Sequence, residues 1–125
     1  MRYMAMIKFD ENADLGSPPP ELFQAMDEFA QEGARNGTLV DQGGLLPSAT
    51  GAIVSLVNGT VKTIDGPFTE AKELIGGYAV IEVHSKAEAL ELARRVIQIH
   101  ADHWPAWNGS CELRQIGDPP EALAG

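Results

Sequence analysis

Apolar and polar positions alternate at two periods along the chain, and each change of period marks an element. Across residues 3–9, "YMAMIKF", Tyr3, Ala5, Ile7 and Phe9 fall on one face of an expected first strand, because side chains alternate sides along an extended backbone. Met4 and Met6 make much of the other face apolar too. Over residues 16–37 the period lengthens. Leu22, Phe23, Met26, Phe29 and Ala30 recur at helical spacing and predict a buried stripe. Ser17 is the expected N-cap, the prolines occupy the first turn, and Gly37 lies just past the end. Residues 38–47, "TLVDQGGLLP", predict a second strand, with a bulge or a close backbone approach at Gly43-Gly44.

Two short apolar runs, "AIVSLV" and "TVKTID", flank Asn58-Gly59, a strong hairpin signal because both turn residues must accept positive φ. Residues 76–83, "GGYAVIEV", form a nearly all-apolar strand. The second helix, over residues 85–103, is opened by a capping box in which Ser85 and Glu88 satisfy each other's orphan amides. Leu90, Ala93, Val96 and Ile97 belong to its apolar stripe. A last strand spans residues 110–116, and residues 118–125 read as a tail behind a single domain of residues 1–117. The order is β-α-β, a hairpin, then β-α-β. Two helices cannot cover both faces of such a sheet, yet strands 3–9 and 76–83 are apolar on both. A second subunit on the uncovered face resolves the conflict, so the pattern predicts a homodimer.

Composition narrows the range of partners. At 125 residues the chain holds one core. A net charge of -9 repels phosphates and anionic lipid, so neither nucleic acid nor membrane is an expected partner. A small-molecule ligand stays open. Cys111 is the single cysteine, expected as a buried structural thiol, and no intramolecular disulfide can form. The opening residues read as neither a signal peptide nor a membrane span, so a cytoplasmic location is expected. There is no Gly-rich phosphate loop or dinucleotide fingerprint, and no cofactor is expected.

Candidate chemistry is concentrated in "TIDGPFTEAKELIGG", residues 63–77. Asp65 has two readings. As a turn residue it would bond backbone amides of its own turn; as a general base it would sit at a pocket mouth. Pro67 presets the turn and Phe68 plugs the core or binds ligand. Thr69 would cap a short turn holding Glu70, Lys72 and Glu73, where Lys72 and Glu73 either form a solvated ion-pair group or flank Asp65 at a binding site. Tyr78 is core filler or a proton donor. His100 and His103 share a helix face at i, i+3, but two histidines fall short of a metal ligand set, so no metal is expected. His100 continues the apolar stripe and is the best histidine to pair with Asp65. Trp104 and Trp107 read as an interface seal.

The same residues carry a family resemblance. "TIDGPFTEAKELIGGYAVIEV", with the opening "MRYMAMI" and the closing "HWPAWNGSCELRQI", resembles DGPF-domain proteins of the YCII-related group. That resemblance implies an α+β fold: a ferredoxin-like antiparallel sheet with two helices on one face, of the dimeric α/β-barrel type. It also implies a kinship with proteins linked to sigma-factor regulators and with a few that act on chlorinated aromatic rings. Enzymes of this group are associated with a histidine-aspartate pair whose histidine lies in the first half of the chain. Here His84, His100 and His103 all lie in the second half. Two functional readings result: a small-molecule-binding or regulatory homodimer, and a cofactor-independent acid-base enzyme for a cyclic or aromatic substrate. In the second, Asp65 is the base and His100 or Tyr78 the proton donor.

Overall fold

A computed structural model describes residues 1–68 and 73–118. Its elements follow the expected order: β1 (Arg2–Phe9), α1 (Pro20–Arg35), β2 (Leu39–Gly44), a 3-10 turn (Ser48–Thr50), β3 (Ala52–Val57), β4 (Thr60–Asp65), β5 (Leu74–Glu82), α2 (Lys86–His103) and β6 (Gly109–Gln115). Four strands form an antiparallel sheet in the order β2-β5-β1-β6. With β3 and β4 set aside, this is the ferredoxin-like β-α-β-β-α-β arrangement. The hairpin is an insertion in that unit, and among the described residues its two strands pair only with each other.

Register decides which residues meet the helices. Tyr3 pairs with Ile81, Ala5 with Ala79 and with Leu113, and Ile7 with Gly77 and with Cys111. Directly paired residues share a face, so these side chains form one surface. It is the surface under the helices, where Tyr3, Ile81, Val83 and Ala89 make the core with Leu39, Ala79, Leu92 and Leu113 against them. The opposite surface carries Met4, Met6, Tyr78 and Val80, with Glu112 and Arg114 toward the β6 edge. No described helix lies over it. Among the described residues, the two-sided apolar strands therefore belong to a sheet that helices cover on one side.

Local details depart from expectation in physically readable ways. Helix α1 starts at Pro20, not after a Ser17 cap; Pro19 holds the N-cap position without a side-chain bond. A residue before proline is pushed out of helical conformation, and Ser17, Pro18 and Pro19 each precede one. The pairing shift in β2 falls between Leu39 and Asp41 rather than at Gly43-Gly44. Gly43 is instead the close approach, since a Cβ there would meet the Tyr78 ring at 2.7 Å. Phe23 and Leu90, both assigned to buried stripes, are exposed. The hairpin turn is as expected, with Asn58 at φ 50° and Gly59 at φ 80°. The expected Thr69 cap, Glu70, Lys72 and most of the tail lie outside the described residues.

Ser85 caps α2 by accepting from the Glu88 amide at 3.1 Å, while Glu88 returns a bond to the amide of His84, one residue earlier than a standard capping box. Ser85→Ala should remove about 1 kcal/mol of stability, read as a lower urea midpoint with an unchanged slope.

Candidate functional site

Between the sheet and the two helices lies a cavity of about 870 Å³. Small residues of the sheet make its floor, including Ala5, Gly77 and Ala79, and large side chains of the helices, such as Met26, Phe29 and Val96, make its walls. Small residues leave room where larger ones would have closed the layer. Arg95 crosses from α2 to α1 at the rim. It bonds Glu32 at 2.8 Å and lies over the Phe29 ring at 4.5 Å, tying the helices together. The Arg95 hydrogen bond and charge hold the exposed Glu32 carboxyl below its ordinary range.

His100 is the buried polar side chain among the described residues, and it lines this cavity. Its Nδ1 lies 2.8 Å from the Val96 carbonyl. A carbonyl oxygen only accepts, so Nδ1 carries the proton and Nε2 of the neutral ring is an acceptor. Nε2 has no partner among the described residues. Yet no fully enclosed side-chain nitrogen or oxygen there is without one, so Nε2 is open to the cavity. Trp107 stacks on the imidazole, with ring centroids 4.3 Å apart and planes tilted by 34°. Trp107, expected as an interface seal, thus helps build the cavity wall. Cys111 also lines the cavity, and burial pushes its thiol above the ordinary value despite a backbone hydrogen bond from Met6 that pulls the other way. A thiol so shifted is a poor nucleophile at neutral pH.

Among the described residues, no other sequence candidate is brought to His100. Tyr78 is among the residues that line the cavity, but by register its side chain shares the uncovered face with Met6, its ring against Gly43. The sheet separates it from His100. Asp65 ends β4 on the exposed hairpin and does not line the cavity, so no Asp65–His100 pair forms. Glu73 lies 3.7 Å from Lys8, which also bonds Glu112 at 3.2 Å; that bond lowers the Glu112 carboxyl below its usual range. Lys72 lies outside the described residues. Among those residues, no group of His, Cys, Asp and Glu is gathered for a metal ion.

Among the described residues, the bonds that lock the Asp-Gly-Pro-Phe segment do not involve the Asp65 carboxylate. Proline has no amide hydrogen to offer two residues on, the Gly66 amide donates to the Gly51 carbonyl at 2.9 Å, and the Phe68 amide donates to Ser48 Oγ at 2.9 Å. Ser48 is the hub. Its own amide donates to Glu11 Oε2 at 2.9 Å and its hydroxyl to Glu11 Oε1. Gly66 is required here, because a Cβ would run into the Ser48 carbonyl. Sequence reasoning missed Ser48 and Glu11. Thirty-seven positions separate them, and no local pattern announces such a contact.

Fold and site together define a small α+β protein: one ferredoxin-like unit, an apolar cavity under its helices, and an inserted hairpin. The chain belongs to the YCII-related family, whose YCII-related domain model matches residues 1–108. The match runs from β1 through α2 and stops one residue before β6. A search of curated proteins finds no match.

Substituting the two lock candidates separates their roles. Ser48→Ala strands the Phe68 amide and leaves Glu11 only the residue-48 amide of the two donors it had, and should cost about 1–3 kcal/mol in chemical denaturation. Asp65→Ala, at an exposed position, should stay within about 0.5 kcal/mol of wild type.

Proposed function

We propose that the protein is a homodimer that binds an apolar small molecule in the cavity between sheet and helices. The observation that carries this reading is the cavity itself: about 870 Å³, within the size range of small-molecule sites, with mostly apolar walls and one buried polar group. Its polar handle is Nε2 of His100, an acceptor that would orient a ligand carrying one hydroxyl or N–H donor. Trp107 fixes the imidazole plane and offers a flat wall. The acid-base alternative with Asp65 as base loses its pairing, because Asp65 and His100 occupy different parts of the molecule.

Dimerisation is supported by the uncovered face, where Met4, Met6, Tyr78 and Val80 form an apolar centre with charged side chains around it. That arrangement resembles the apolar core and polar rim of protein interfaces. A cytoplasmic location goes with this reading, since a lone half-buried cysteine suits a reducing compartment. No described helix is long and apolar enough to cross a membrane.

N-phenyl-1-naphthylamine, a neutral apolar fluorophore with one N–H, tests the cavity. Binding should enhance its emission, with energy transfer from the cavity tryptophans. Ala5→Phe should fill the floor and abolish the signal while the far-ultraviolet circular dichroism stays unchanged. Equal binding by the filled variant would place the probe outside the cavity and overturn the reading. For the dimer, sedimentation equilibrium should return twice the chain mass, and Met6→Glu should shift it toward monomer by burying an unpaired charge. A wild-type monomer at micromolar concentration would refute the dimer.

A further inference from the structure

Among the described residues, the hairpin of β3 and β4 has no packing partner to match its composition. Paired positions put Val54, Leu56 and Val61 on one face, and Ile53, Val57 and Ile64 on the other. All six are exposed, and the first three most: 66%, 73% and 69%. An isolated two-stranded hairpin is marginal in water, and apolar residues on both faces make solvent a poor environment for it. Such a hairpin needs a cover. We infer that it is an arm that packs on a second copy of this chain, extending the dimer contact beyond the open sheet face. This rests on the dimeric reading above.

Two observations point to a second copy. The first is area. A monomer of this mass would expose about 6,500 Å², whereas the chain exposes 8744 Å². The excess of about 2,200 Å² exceeds the roughly 800 Å² that each partner contributes to a standard interface. The cavity lining takes part of it; the hairpin and the open sheet face account for exposed apolar surface elsewhere. The second is charge. Each chain carries -9, so two copies repel, but residues 52–65 hold one lysine, Lys62, and one acid, Asp65. The arm carries no net charge in an acidic molecule, so contact there adds no like-charge repulsion of its own.

The arm also gives the Asp-Gly-Pro-Phe segment a purpose. The Gly51–Gly66 bond closes the base of the hairpin, and Ser48, held by Glu11, takes the Phe68 amide just beyond it. Glu11 lies two residues past the end of β1, so the base of the arm is tied to the sheet. An arm with a fixed base loses less freedom on docking than one on a free loop.

The experiment uses the full chain. In wild type, sedimentation equilibrium gives the dimer dissociation constant, and hydrogen exchange is followed above and below it. Amides of residues 53–64 should be protected in the dimer and exchange faster after dilution to monomer. Leu56→Glu with Val61→Glu should weaken dimerisation by roughly tenfold or more, with helical circular dichroism retained. If wild type dimerises while hairpin exchange ignores concentration, the arm inference falls and the open-face dimer stands. A double variant that dimerises as wild type has the same meaning. If wild type is monomeric at every concentration, both fall, and the hairpin's cover is another molecule. Should the double variant fail to fold, the wild-type exchange experiment decides alone.

Discussion

Two helices can cover one face of a four-stranded sheet, and this chain has a sheet whose strands are apolar on both. The covered face takes Tyr3, Ile81 and Val83 into a core that is small for 125 residues. On the other face, Met4, Met6 and Val80 sit on a layer that no described helix covers. Apolar area left in water forgoes about 25 cal/mol per Å², so a surface of this kind has a strong reason to associate. The exposed hairpin adds to the same debt of uncovered area.

The same limited coverage makes the cavity. Where Ala5, Gly77 and Ala79 line the sheet, the helices bridge a gap rather than fill it. Close-packed interiors leave few voids larger than a water molecule, so an opening of this size is a departure that binding can use. Bulky residues would have filled the layer and made a firmer core. His100 keeps one polar atom facing that space, its tautomer set by Val96 and its plane by Trp107.

Much of the fold was legible in the chain because it rests on local rules. Periods of two and 3.6 marked six strands and two helices, Asn58-Gly59 marked the hairpin turn, and Ser85 marked the start of α2. Even the failure at Ser17 has a local cause, in the three prolines after it. The ferredoxin-like class and the YCII-related family were likewise readable, the second from the Asp-Gly-Pro-Phe segment and its neighbours.

The site was another matter, because it depends on contacts between residues far apart in sequence. Asp65, Tyr78 and His100 have equal claims to acid-base chemistry when read as residue types. Register puts Tyr78 on one side of the sheet, helix packing puts His100 on the other, and the hairpin carries Asp65 away from both. Sequence alone determined which elements form and which of their faces are apolar, since propensity and periodicity act over a few residues. Only the tertiary structure decided which functional groups meet. Strand register and layer packing are set by many long-range contacts together, and no single segment encodes them. Ser48 holding Phe68 on behalf of Glu11 is the plainest case: three residues from three distant segments, each ordinary by itself, joined only when the chain folds.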